Sequence, residues 1–160
     1  MTIDRRHPVL ESADDFRQLL EASPMEPARL KSAQASAAVW WDVLERFPDA
    51  AVWVAANRTT PNEIVTHLAS HQRIQVRAAV ASNPQITDRV MIELAHDKSD
   101  LVRMRIACNS QATRDVLADL VADPCVVVSK HAQARLQHDI SGVLLPASYL
   151  DEVSMLDLLH

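Results

Sequence analysis

The sequence predicts an all-α chain: a short right-handed α-solenoid of about three to four repeats with a period of 26 residues, closed by helical caps at both ends. Three observations carry this. Asn57, Asn83 and Asn109 stand in strict register within "AVWVAANRTTP", "RAAVASNPQIT" and "RMRIACNSQAT". Apolar columns keep the same register, for instance Leu68, Leu94, Leu120 and Val76, Val102, Val128. Glycine occurs once in 160 residues, which leaves little for the hairpin turns of all-β folds or the phosphate loops of nucleotide-binding α/β folds.

In chain order, "SADDFRQLLEA" (12–22) reads as an amphipathic helix with Ser12 at its cap and Asp14 and Asp15 in its first turn. "SPMEP" breaks it, and "ARLKSAQASAAVWWDVLERF" (28–47) then reads as one long helix entering the first repeat. Within "EIVTHLASH", "RVMIELAHD" and "DVLADLVAD" small or apolar residues recur at i, i+1, i+4 and i+5, one stripe on a helix. Thr60 followed by Pro61 and Glu63 predicts a capping box, and Thr87 and Thr113 predict caps for the next two units. A second, short helix follows in each unit, about 75–82 and 101–108. The asparagine that ends it predicts a left-handed stop, the role glycine usually fills, with a side chain that can also bond to the next repeat's backbone. Nothing alternates with period two, so no sheet is expected. "PASYLDEVSMLDLLH" closes the chain with Leu150, Val153, Leu156 and Leu159 on one helical face. One unit cannot bury its own apolar face, so neighbours must stack and the ends must be capped. The expected organisation is a single domain, 1–160, with an N-terminal helical cap (1–40), a repeat body (41–139) and a C-terminal capping helix (140–160).

"LASHQRIQVRAAVASNPQIT" and "LAHDKSDLVRMRIACNSQAT" resemble the variant leucine-rich repeat and, more broadly, HEAT-like repeats of the form LAxDxxxxVRxxxAxN. The likeness spans Trp41 to Asp139, about three units and a degenerate fourth, "ADPCVVVSKHAQARLQHD". The first unit has "PDAAVWVAAN" where "VR" would stand, and the fourth has Val128-Ser129 and Arg135 in place of VR and the asparagine. The resemblance implies an inter-repeat ladder between the arginine column (Arg77, Arg103) and the acidic column (Asp97, Asp123, with His71 in register).

The formal charge of −5 and pI near 5.7 give no basic field for nucleic acid; the body from Pro61 to Asp139 has 9 basic and 9 acidic residues, and the tail beyond has 3 acids and no Lys or Arg. Cys108 and Cys125 follow no pairing pattern, no signal peptide or membrane span is visible, and the compartment reads as cytoplasmic. His67 and His71 at i, i+4, with His96, Glu93 and Asp97 nearby in register, have a metal-like spacing, but without an HExxH motif they read as exposed histidines. No metal, cofactor or catalytic constellation is expected.

The residues that break the pattern are the candidates for recognition. Trp53, Arg105 and His131 share a variable column with Ala79; with Arg77, Arg103 and Trp41 they make a set of hot-spot composition. The expected function is a non-catalytic solenoid holding a protein partner, as an adaptor or as an immunity protein for a bacterial toxin with a basic domain. The alternative is a nucleic-acid-binding protein or DNA glycosylase resembling the solenoid enzymes that remove alkylated bases; a HEAT-like lyase or metal-dependent activity ranks third, on the His67/His71 pair.

Overall fold

The computed structural model describes residues 7–22 and 27–141. They are mostly helical, with ten α-helices: α1 (Ala13–Ala22), α2 (Pro27–Ser32), α3 (Ala37–Arg46), α4 (Ala51–Ala56), α5 (Asn62–Ala69), α6 (Ile74–Ser82), α7 (Asp88–Ala95), α8 (Asp100–Cys108), α9 (Arg114–Leu120) and α10 (Val126–Ser141). A 3₁₀ turn, Pro48–Ala50, leads into α4. No helix among the described residues is long and apolar enough to cross a membrane. The expected capping helix at 140–160 lies, beyond Ser141, outside the described residues.

Local side-chain chemistry opens α1, α3, α7 and α9, while α4, α5, α6 and α8 start without a side-chain cap. The Ser12 hydroxyl accepts from the Asp15 amide at 3.3 Å while the Asp15 carboxylate accepts from the amides of Ser12 and Glu11, both at 2.9 Å. Thr87 and Thr113 accept from the amides of Val90 and Val116, opening α7 and α9 as their sequence predicts. Thr60 does not form the predicted capping box. It is buried, and its hydroxyl donates back to the Val54 carbonyl at 2.8 Å, so α5 opens one residue later with Pro61 supplying its first carbonyl acceptor.

The long helix expected over 28–47 is interrupted. α2 ends at Ser32, Gln34 and Ala35 turn extended, and Ser36 caps a new helix by accepting from the Val39 amide at 3.3 Å. Val9–Leu10 (β1) and Gln34–Ala35 (β2) pair in parallel, a two-residue bridge that corrects the expectation of no sheet. The interruption has a use: the carbonyls of Leu30 and Ala33 accept hydrogen bonds from Asn57, and Ala33 also accepts from Thr59.

The helices make two layers. α4 packs on α6, α6 on α8 and α8 on α10, with α2 against α4; α3, α5, α7 and α9 follow one another on the other side. The apolar columns of the sequence meet between the layers, where Val54, Ile64, Leu68, Val76, Val80, Val102, Ile106 and Ala132 are all at most 1% exposed. α1 extends this core at the N-terminal end, with Phe16 edge-on to the buried Trp40 at 5.9 Å. Arg46 ties α1 to α3 through a two-pronged pair with Asp14, at 2.7 and 3.1 Å.

Candidate functional site

The asparagines keep their register in space but not by a left-handed stop. Asn57, Asn83 and Asn109 have φ of −74°, −75° and −66° with ψ of 130°, 124° and 126°, which is extended backbone. Their side chains end the helices instead. The Asn83 Nδ2 donates to the carbonyls of Ala55 and Asn57, both at 2.9 Å, and Asn109 donates likewise to Ala81 and Asn83 at 2.8 and 3.1 Å. The Oδ1 of each accepts from the amide two residues on, at Thr59, Gln85 and Gln111. Each buried asparagine thereby fulfils three backbone groups and fixes the preceding unit one period away.

Arg135 occupies the fourth place in this column. Its Nη1 donates to Ala107 at 2.8 Å and to Asn109 at 2.6 Å, replacing the amide's two donor bonds. A guanidinium has no acceptor for the amide two residues on. The helix accordingly does not stop there, and α10 runs 16 residues to Ser141.

The arginine and aspartate columns form the second ladder. Arg77 grips Asp97 at 2.6 and 3.0 Å, and Arg103 grips Asp123 at 2.7 and 3.0 Å. Burial pushes the Asp97 carboxyl up, but the Arg77 hydrogen bonds, the Ser99 amide and the charges of Arg77 and Lys98 hold it below its ordinary value. Asp123 is likewise lowered, first by the Arg103 hydrogen bond. At the first unit Ala51 stands where the arginine would be, and His71 replaces the acid: its Nδ1 accepts from the Arg73 amide at 3.1 Å. Burial, then the charges of Arg73, His67 and Arg77, lower its pKa and keep it neutral.

These two ladders separate the candidate recognition residues. The side chains of Arg77 and Arg103 are only 6% and 13% exposed and both forks are engaged, so they hold units together and are not placed to contact a partner. Trp41 sits in the other layer, on α3, 38% exposed and edge-on to His67 at 5.0 Å. Trp53, Arg105 and His131 remain together in one layer, half-buried, on α4, α8 and α10, with the small buried Ala79 of α6 between the first two. Among the described residues no group of three His, Cys, Asp or Glu side chains gathers as a metal site; His96 instead pairs with Asp119 at 2.9 Å.

Sequence reasoning missed four residues on this face. The Cys108 Sγ lies 3.4 Å from the His131 Nε2, and Lys31 of α2 lies near enough to Arg58 and Arg105 to feel both charges. Arg58 follows Asn57 directly, and its amide donates to the Lys31 carbonyl at 2.9 Å. The fourth, Arg135, lies near enough to Cys108 and His131 for its charge to act on both. The period could have flagged Arg58 and Arg135; Lys31 arrives only because α2 ends where it does.

The Cys108–His131 pair is a thiol beside a neutral imidazole. Burial raises the thiol against the pull of Arg105 and Arg135, and burial together with Arg135 lowers the imidazole. Both shifts oppose thiolate–imidazolium formation, which is what a cysteine nucleophile requires. Alkylation of Cys108 by iodoacetamide should therefore be slow at pH 7 and accelerate by about tenfold for each unit that the pH is raised above it, because the thiolate is a small fraction throughout that range. Peptide mass mapping reads this, and fast labelling at pH 7 would contradict it. The chain matches no family model, no curated protein and no solved structure.

Proposed function

We propose that the chain is a non-catalytic binding protein, a right-handed α-solenoid of the kind the HEAT-like and variant leucine-rich repeats form, which holds a protein partner on the α4/α6/α8/α10 face. It would serve as an adaptor or as an inhibitor, of which a toxin's immunity protein is one form. One observation carries the reading: along this layer the asparagine and arginine–aspartate positions are used up in joining units, while the Trp53/Ala79/Arg105/His131 position changes chemistry from unit to unit and leaves Trp53, Arg105 and His131 only half-buried. A repeated scaffold with one variable column is how stacked repeats vary recognition without altering their core.

Site-specific photo-cross-linking tests it. A benzophenone side chain at Trp53 or His131 should give a discrete protein adduct in cells, and one at Thr66 or Glu93 on the other layer should not. Equal adducts from both layers, or adducts to nucleic acid alone, would overturn the reading.

A further inference from the structure

The opposite layer holds a groove that the Trp53 column does not reach. α7 and α9 are neighbours there and leave an open groove of about 590 Å³ between them. Its floor is apolar, from Met91, Ala95 and Val116, which also belong to the core. Ile92 stands on its wall, 53% exposed. Asp88 and Asp115 line it at the starts of the two helices. At the far end the His96 Nε2 bridges to Asp119 at 2.9 Å, with the His96 Nδ1 2.9 Å from the Ile92 carbonyl oxygen. Among the described residues no Lys or Arg lines the groove.

The preceding helix pair, α5 and α7, supplies an internal comparison, because the 26-residue register matches the two pairs position by position. The floor is kept: Val65, Ala69 and Val90 stand where Met91, Ala95 and Val116 stand. The rim is not. Asn62, Thr66, Ser70 and Arg89 give way to Asp88, Ile92, His96 and Asp115. Packing accounts for the floor, which the core needs in both units. It does not account for an exposed isoleucine in place of a threonine, or an exposed aspartate in place of an arginine. Acids at a helix start do favour the helix dipole. Arg89, however, holds the second position of α7 that Asp115 holds in α9, so the start needs no acid there. Two full carboxylate charges also outweigh the half-charges of two helix N-termini, which leaves this end of the groove attractive to cations.

Beyond the partner face proposed above, we infer that this groove seats a short basic segment of a protein, with an apolar side chain against Ile92 and Ala118 and a Lys or Arg at Asp88 and Asp115. Charge complementarity selects this occupant. The 8-residue α7 is about 12 Å long, which sets the seat at about three or four extended residues. Residues 142–160 of the chain itself are the poorer occupant, with 3 acids and no Lys or Arg. Thr66 and Glu93 take in the α5/α7 pair the places that Ile92 and Asp119 take here, and neither lines this groove.

The test uses the full chain and three short fluorescein-labelled synthetic peptides of equal length. One alternates Lys with Leu, a second Glu with Leu, and a third Lys with Ser. Anisotropy should show the Lys/Leu peptide binding at least about tenfold tighter than either of the others, and weakening by about fivefold or more between about 50 and about 300 mM salt. Asp88→Asn with Asp115→Asn, and separately Ile92→Thr, should each weaken it by about fivefold or more with the helical circular dichroism unchanged. Glu63→Gln with Glu93→Gln removes the same charge outside the groove and should change the affinity by less than about twofold. A loss as large in that control would reduce the binding to net charge and overturn the seat. Equal binding of the Glu/Leu or the Lys/Ser peptide would overturn it as well. A dimer in sedimentation that Ile92→Thr dissociates would make a second copy of the chain the occupant, and the inference would fall. None of these variants touches Trp53 or His131. If the groove fails, a discrete adduct from position 53 still upholds the partner face; if that adduct is missing, the peptide result still decides the groove.

Discussion

Asp97→Ala should destabilise the protein by about 3–5 kcal/mol, the usual cost of leaving one member of a buried ion pair without the other. The Arg77 guanidinium would remain 6% exposed without its two-pronged acceptor, held only by the carbonyls of His71 and Gln72. The Ser99 amide would lose its acceptor as well. For a chain of this size that is a fall of roughly 6–20 °C in melting temperature. The pair itself is worth far less than its disruption suggests. Arg77→Met combined with Asp97→Asn, which keeps an oxygen for Ser99, should recover at least half of the loss. A single variant that melts with the wild type would mean that the ladder carries no strain of desolvation and the account of it is wrong.

The same carboxylates set the acid limb of the stability curve. The native pKa values of Asp97 and Asp123 lie below their ordinary 3.8, so their contribution is present above about pH 4 and is lost as pH falls through the lower native values. His71 and His131 add an earlier step of the same sign. Their native pKa values lie below the ordinary 6.5, so folding favours the neutral ring, and that contribution fades as pH drops below about 6.5. Urea titrations at pH 7.5, 5.5 and 3.5 should show declining midpoints, and a midpoint that rose toward pH 5.5 would contradict both assignments.

Asn83→Asp should be the most damaging isosteric change in the chain, about 4 kcal/mol or more. The Asn83 Nδ2 donates to two carbonyls at 2.9 Å in a site 2% exposed. A carboxylate there turns two attractions into two repulsions and buries a charge without a counter-ion. The introduced acid can escape only by taking a proton, so its native pKa is raised and its variant should recover stability as pH is lowered from 7 toward 5. That slope is opposite to the wild type's, which separates a charge effect from mere loss of packing. A variant that fell in parallel with the wild type over this range would refute the geometry.

The parts of this fold that were legible in the sequence are those governed by contacts a few residues long. Ser12, Thr87 and Thr113 cap helices because a hydroxyl needs only reach the amide three residues on. The core was legible because 26-residue register placed Leu68, Leu94 and Leu120 on equivalent faces. The asparagine's bonding to a neighbouring repeat was legible, but its extended backbone and its acceptors in the preceding unit, 24 to 28 residues away, were not, because they depend on units already stacked. The break at Ser36 was hidden by an alanine-rich run whose helix propensity is high on both sides of the cap. Of the face proposed for partner binding, Trp53, Arg105 and His131 could be picked out as departures from the pattern. Arg77 and Arg103 entered the candidate set on composition, although the repeat resemblance already implied the pairing with Asp97 and Asp123 that the structure forms.

The most direct measurement is thermal unfolding of Asn109→Gly followed by circular dichroism. If the asparagine were a left-handed stop, glycine would serve as well or better and the melting temperature would hold or rise. Here the backbone is extended at φ −66°, and the side chain binds Ala81, Asn83 and Gln111. Glycine would leave those three groups without partners, at about 1–3 kcal/mol for each group left buried and unsatisfied. The expected result is a loss of at least 3 kcal/mol, roughly 6–12 °C; an unchanged or higher melting temperature would contradict the claim that asparagine side chains hold the units in register.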